Sequence, residues 1–435
     1  MPERRILIRG GTVLDELGER RADVLVDGAT IVAVSEGLEA PQEVTVLDAG
    51  GCLVAPGLVD LHTHLREPGG EVAETVESGT RAAAVGGYTA VVAMPNTEPA
   101  LDNPSVVRDV LALGETASAE VAVAAAITIG RKGEQLSPMG ELAALGVRLF
   151  TDDGRGVQDA GIMRRALEYA SDLGITLAEH CEDEQLARGG HMHEGAWSSR
   201  LGIPGQPALA EEAMVARDIG LVRLTGARMH FLHLSSAGSV ELLRRAKQAG
   251  LPVTAEVTPH HLVLTDAEVA SFDPVFKVNP PLRAGDDVAA VRAALLDGTL
   301  DAVATDHAPH LTEEKEAPFD QAPFGMTGLE TALSIVTTHL DGSLPRADLF
   351  AAFSWRPARI AGLDTASGGR HGGPVVPGNP ANIVVFDPGA VWTVDIGDMV
   401  SRSRNSPFGG RKLQGRVRHT VFEGEPVVVD GNAQR

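Results

Sequence analysis

The sequence predicts an α/β protein, a (β/α)8 TIM barrel with a small β-sandwich module formed from both chain ends. Three observations lead there. Apolar runs alternate with amphipathic segments through the middle of the chain. Both ends instead carry short stretches in which apolar and polar residues alternate. Most of the middle runs close on a histidine, aspartate or asparagine. Strands alternating with helices imply parallel βα units, and eight such runs suit a closed barrel. A doubly wound sheet is the competing layout, but no GxGxxG fingerprint opens a strand–helix turn.

Residues 1–55 form the first part of the β module, through "RILIRGGTVLD", "RADVLVDGATIVAVS" and "EVTVLDAGG". Residues 56–365 form the barrel. Its eight strands are read from "LVDLHTH", "TAVVAMP", "VAVAAAITI", "GVRLFTDD", "ITLAEHC", "RMHFLHLS", "VTAEVTP" and "DAVATDHAP". Amphipathic segments such as "GIMRRALEYASDLG", "SAGSVELLRRAKQAG" and "DDVAAVRAALLDG" lie between them as helices. A Gly/Pro-rich stretch, "ASGGRHGGPVVPGNP", links into residues 366–435, where "ANIVVFDPG", "WTVDIG" and "GRVRHTVFEGEPVVVDG" complete the β module.

Composition narrows the function. The chain has 435 residues, 43% of them hydrophobic, and a formal net charge of −22. Nucleic-acid and anionic-membrane surfaces need a basic footprint, so neither partner is expected. A small-molecule substrate fits better, and an anionic one would need a local cation. Cys52 and Cys181 cannot build a disulfide framework, and the N-terminus "MPERRILIRGG" lacks the apolar segment of a secretory signal. A cytoplasmic location is expected.

The strand ends carry the chemistry. His62 and His64 end the first run, Asn96 the second, Asp152 and Asp153 the fourth, His180 the fifth, His233 the sixth, and Asp306, His307 and His310 the eighth. In a barrel these ends form one rim, where active sites lie. Residues i and i+2 of a strand share a face, so His62 and His64 point to one cation. Imidazole and carboxylate donors suit zinc and similar divalent metals. Four histidines and two aspartates are too many for one tetrahedral ion and right for two. Such a pair acidifies a shared water enough to supply hydroxide near neutral pH.

Blander readings apply elsewhere. His191 and His193 in "GGHMHEG" repeat the H-x-H spacing, but within a Gly-flanked loop with no strand before it, and read as surface. His260 and His261 in "TPHH" read as structural or as supports behind the candidate ligands. Cys181 falls on the opposite strand face from His180 and is expected to be buried. "EEKE" (313–316) reads as a solvated loop and "SRSRNSPFGGRK" (401–412) as a turn-rich surface segment.

These motifs, "APGLVDLHTHLREPG", "AMPNT", "TDDG", "EHCED", "HLS", "EVTPHH", "NPPLR", "ATDHAPH", "APFGMTGLET" and "NSPFGG", occur in an order that resembles the amidohydrolase superfamily. Within it the chain is similar to the longer bacterial class of dihydroorotases, over nearly its whole length. The resemblance implies two Zn2+ per chain. His62 and His64 would bind the more buried ion, His180 and His233 the second, and Asp153 would bridge them where many relatives use a carboxylated lysine. Asp153 is preferred to Asp152 because its spacing to His180 is similar to that of the family. Asp306 would ligate the first ion and act as general acid/base. Arg66, Asn96, Asn279 and His310 would contact the substrate, with backbone groups of Phe324 and Gly325.

The implied reaction is the reversible cyclisation of N-carbamoyl-L-aspartate to L-dihydroorotate in pyrimidine synthesis. A metal-bridging hydroxide would attack the ring amide while Asp306 moves the proton. The rivals are hydantoinase (dihydropyrimidinase) and allantoinase, which resemble each other in a bridging carboxylated lysine on the fourth strand. The five lysines here are Lys132, Lys247, Lys277, Lys315 and Lys412, and none ends that strand. A more remote alternative is a non-catalytic subunit that scaffolds aspartate transcarbamoylase, but such subunits have lost ligands and all six are present here. A homo-oligomer is expected, and association with aspartate transcarbamoylase is compatible with an active enzyme.

Overall fold

The computed structural model describes residues 5–340 and 342–435. Eight parallel strands run side by side in chain order. They are β1 (Leu58–Thr63), β2 (Tyr88–Ala93), β3 (Glu120–Ala125), β4 (Leu149–Phe150), β5 (Thr176–Glu179), β6 (Arg228–Phe231), β7 (Val253–Val257) and β8 (Ala302–Val303). Helices between successive strands include Val76–Val85, Pro104–Gly114, Ala160–Leu173, Leu209–Thr225, Ala237–Gln248 and Gly285–Leu296. Asn103, Asp159 and Ser236 cap three of them by accepting from backbone N–H groups of the first turn.

The strands are apolar nearly throughout because parallel strands in a barrel are covered on both faces. Phe150, Leu177, Met229, Phe231 and Val303 share one buried cluster with the helix residues Val107, Leu167, Val222, Leu243 and Val291. The runs read from sequence as β4 and β8 shrink to two-residue strands, because the chain turns off the ladder as soon as it reaches the polar rim residues.

The seam between β1 and β8 is closed through the Thr63–His307 bridge and through Asp60. The Asp60 carboxylate accepts from Thr305 N and from Thr305 Oγ1, both at 2.7 Å, and from Thr63 Oγ1. The barrel is therefore nearly complete.

The two chain ends meet in a β module, as expected. A four-stranded sheet holds 5–9, 23–27, 30–35 and 44–48. A seven-stranded mixed sheet joins 12–15, 18–21 and 53–56 to 383–393, 412–422, 425–429 and 432–433. Leu53–Pro56 pairs antiparallel with Ile383–Phe386, so the chain enters and leaves the barrel on adjacent strands. Ile6, Ile8, Val24, Val26, Val54, Ile383, Val385 and Val421 form the module's own core. Among the described residues no helix is long and apolar enough to cross a membrane.

Candidate metal centre and substrate cavity

The six expected ligands converge. His62 lies in β1 and His64 just past it, while Asp153, His180, His233 and Asp306 follow the ends of β4, β5, β6 and β8. All six are buried. Donor atoms of His62, His64 and Asp153 lie within 4.8 Å of one another, as do those of Asp153, His180 and His233. Asp153 is the shared member. Its Oδ1 stands 3.3 Å from His62 Nε2, 3.6 Å from His233 Nε2 and 3.7 Å from His180 Nδ1. Its Oδ2 is 3.6 Å from His64 Nε2. Asp306 Oδ1 sits 3.1 Å from His64 Nε2 and 3.5 Å from His62 Nε2.

Neighbouring groups fix which imidazole nitrogen faces inward. His62 Nδ1–H donates to the buried Glu256 carboxylate at 3.0 Å, and the other Glu256 oxygen takes a 3.0 Å bond from His230 Nε2. His64 Nδ1–H donates to Asn96 Oδ1 at 2.8 Å. Both rings thereby turn Nε2 toward Asp153 and Asp306, as metal-binding histidines do.

The cluster fits divalent metal. His62 Nε2 and Asp153 Oδ1 are buried without a hydrogen-bond partner, and buried polar atoms are seldom left so. His180 Nδ1 and His233 Nε2 stand 3.0 Å apart, and with Asp153 they form a group whose donor atoms could hold one ion. Burial alone would raise the Asp153 carboxyl, but His62, His180 and His233 outweigh it and hold it well below the usual carboxylate range. Asp306 is lowered likewise, with burial again outweighed by His62 and His64. Both carboxylates are ionised and available as ligands.

The adjacent aspartates separate cleanly. Asp152 turns away and accepts from Thr128 N at 3.0 Å and from Thr128 Oγ1. It holds the loop after β3, whereas Asp153 faces the cluster.

A cavity of about 360 Å³ opens over these groups. All six residues expected to meet substrate line it: Arg66, Asn96, Asn279, His310, Phe324 and Gly325. Arg66 Nε donates to Pro309 O at 3.1 Å and its Nη2 stands 3.4 Å from His310 Nε2, which fixes the guanidinium in the cavity wall. No carboxylate stands within ion-pair distance of Arg66 among the described residues. Asn279 Nδ2 donates to Glu182 Oε2 at 2.8 Å and stands 3.2 Å from His180 Nε2. His310 Nε2–H donates to Phe324 O at 2.8 Å. Burial, with Arg66 and Lys315 nearby, pulls the His310 pKa down to about 3, so the ring is neutral near pH 7.

Three of these groups sit on strained backbone: φ is +62° at Arg66, +31° at His233 and +47° at Asp306. Positive φ in non-glycine residues is uncommon and collects at functional sites.

Several sequence readings need correction. His193 is buried rather than on the surface. It lies in a short strand, Met192–His193, paired with Gly205–Gln206, and its Nδ1 is 3.3 Å from Arg283 Nη1. The segment 401–406 is no surface turn. Ser401, Ser403, Asn405 and Ser406 are buried, and Asn405 Nδ2 donates to Ala308 O at 2.9 Å and Gly325 O at 3.2 Å. Asn405 Oδ1 accepts from His310 N at 3.1 Å. Lys315 of "EEKE" is buried. Glu256, an acid inside the apolar run "VTAEVTP", was the one missed residue with a visible signal. Cys181 is buried as expected, and His261 is structural, its Nε2 lying 3.0 Å from Pro280 O.

A nearly closed (β/α)8 barrel with a shared-aspartate histidine cluster at the C-terminal rim defines an amidohydrolase. The comparisons narrow that class. A family model described as Dihydro-orotase-like matches residues 51–239. The dihydroorotase of Streptomyces coelicolor is 50% identical over 432 residues, covering 98% of this chain and 99% of that protein. That of Pelotomaculum thermopropionicum is 48% identical over 431 residues, again 98% and 99%. The dihydroorotase of Mycobacterium tuberculosis is 48% identical over 431 residues, with 98% and 99% covered.

Among solved structures, the L-hydantoinase (dihydropyrimidinase) of Arthrobacter aurescens superposes with a TM-score of 0.88 at 24% identity, covering 99% of this chain and 97% of that one. The dihydropyrimidinase of Brevibacillus agri gives 0.84 at 24% identity, with 99% and 96% covered. These structures share the fold. The chain belongs to the dihydroorotase family, and it is a cyclic amidohydrolase.

Proposed function

We propose that this enzyme interconverts N-carbamoyl-L-aspartate and L-dihydroorotate, with two zinc ions per chain, as a homo-oligomer in the cytoplasm. The observation that carries the substrate assignment is Arg66, a guanidinium with no carboxylate partner among the described residues, fixed in the wall of the cavity over the His/Asp cluster. A planar fork of donors matches a carboxylate, and dihydroorotate carries one outside the reacting bond. Hydantoin and allantoin do not.

Zinc held by His62, His64, Asp153, His180, His233 and Asp306 would supply Lewis acidity and an acidified water. The remaining work falls to the chain. Glu256 and Asn96 keep the Nδ1 protons of His62 and His64 in place. Arg66, with Asn96, Asn279, His310 and the backbone of Phe324 and Gly325, would hold the substrate's carboxylate and ring amide groups. In the hydrolytic direction water adds to the ring carbonyl. Asp306 takes the water's proton at a carboxylate oxygen and returns it to the ring nitrogen as the C–N bond breaks. Cyclisation reverses these transfers.

The test is a spectrophotometric assay with L-dihydroorotate, hydantoin and allantoin side by side, with metal content measured on the same preparation. Turnover of dihydroorotate alone is expected. Arg66→Met should raise KM for it about tenfold to a hundredfold, the worth of a charge-assisted contact. An unchanged KM refutes the carboxylate contact, and preferential turnover of hydantoin refutes the assignment.

A further inference from the structure

The loop that brings Phe324 and Gly325 to the cavity wall has almost no regular structure of its own. Yet its backbone is tied at both carbonyls of the turn. Phe324 O accepts from His310 Nε2, and Gly325 O accepts from Lys315 Nζ at 2.9 Å as well as from Asn405 Nδ2. Lys315 Nζ also donates to Pro323 O at 2.9 Å and approaches Lys277 O at 3.4 Å. Lys277 O in turn accepts from Gly325 N at 2.8 Å, two residues before Asn279. One ammonium therefore joins three segments: its own short helix Thr312–Lys315, the turn at 323–325, and the strand-like stretch leading to Asn279.

This arrangement is unusual for a lysine. Its side chain is buried, no carboxylate pairs with it within ion-pair distance among the described residues, and all its recorded partners are backbone carbonyls. Buried ammonium groups are costly without a counter-ion. Burial and the neighbouring Lys277 pull its pKa down to about 7. Lys277 is itself spoken for, donating to Asp320 O at 3.2 Å and lying 4.7 Å from the Phe324 ring. Gly325 leaves no slack, since a Cβ there would stand 2.6 Å from Ala308 Cβ and 3.0 Å from His310 Nε2. The turn has one seat, and Lys315 defines it from beneath.

We propose that Lys315 is a positioning residue for substrate binding, its ammonium fixing the backbone of Phe324 and Gly325 against the cavity by gathering the carbonyls of Lys277, Pro323 and Gly325. This rests on the reading of Phe324 and Gly325 as substrate contacts. Lys315 Nζ bonds to backbone carbonyls and, among the described residues, to none of the six metal-competent side chains, so its loss should act on the loop and leave the cluster alone.

The experiment compares the full-length enzyme with Lys315→Met and Lys315→Gln, the second keeping a polar end should the first fold poorly. Three readouts are taken: amide hydrogen exchange over residues 319–327, KM and kcat for L-dihydroorotate, and metal content. Exchange in that segment should quicken about tenfold and KM rise about tenfold, with kcat within about threefold and metal content unchanged. Unchanged exchange in both variants overturns the clamp. Quicker exchange with an unchanged KM overturns the link to substrate. A fall in kcat with KM unchanged also overturns it. A wild-type enzyme that ignores dihydroorotate fails the functional reading instead, and the exchange measurement still decides the clamp.

Discussion

Asp152 and Asp153 are chemically identical neighbours with opposite duties. The sequence narrows the choice to one of the two, since adjacent residues cannot both face the barrel axis. The surroundings separate them: Asp152 is satisfied by Thr128, whereas Asp153 faces histidines from three strands with its Oδ1 left without a hydrogen-bond partner. Asp153→Ala should empty the cluster of metal by elemental analysis. Asp152→Ala should keep the metal and cost about 1–3 kcal/mol of stability, the penalty for a buried donor left unpaired. Metal loss in the second variant and not the first would reverse the assignment. The six clustered side chains were legible because each stands at the C-terminal end of a barrel strand, where active sites lie. Glu256 was not singled out because it lies within a strand and touches the cluster only through His62.

At the scale of elements, the segment 401–406 carries the sharpest departure from the sequence reading. Serine, arginine and asparagine in close succession read as a solvated turn. Here the Asn405 side chain bonds to backbone groups more than seventy residues away, at Ala308 O, Gly325 O and His310 N, and Ser403 Oγ donates to Ala73 O. Val400 N and Ser401 N in turn bond to the Glu330 carboxylate. No local pattern encodes such pairings, because the partners are carbonyls and amides that every residue has. Asn405→Ala removes three bonds to the loops bearing His310 and Gly325. It should raise KM for dihydroorotate about tenfold, with a smaller change in kcat, by loosening two substrate-contacting loops at once. Steady-state kinetics that match the wild type would mean these loops hold their shape without it. The eight-run alternation, by contrast, was legible throughout, since βα units repeat over the whole barrel and short errors at β4 and β8 do not disturb the count.

Over the whole molecule, the metal-competent side chains come from β1 and from the ends of β4, β5, β6 and β8, so a bound ion would cross-link strands distant in sequence. Chelation should lower the melting temperature, by about 3–4 kcal/mol of lost stabilisation for ions held at 100 to 1,000 times their Kd. Far-ultraviolet circular dichroism should stay unchanged, and added zinc should restore the melting temperature. An unaltered melting temperature in verified metal-free enzyme would show that the barrel stands without help from the cluster. The net charge of −22 makes Arg66 matter beyond its contacts, as a cation in the wall of a cavity on an anionic protein.

The seam between β1 and β8 sets an order of events during synthesis. Asp60 leaves the ribosome early, but its partner Thr305 emerges only after about 245 further residues. Asn405 comes roughly another hundred after that. His62 and His64 must therefore wait, unclosed, through most of translation. A ribosome stalled before Thr305 holds a chain with an open sheet edge and no active site, the kind of intermediate that chaperones shield. For this enzyme the last strand is the one that makes the first strand useful.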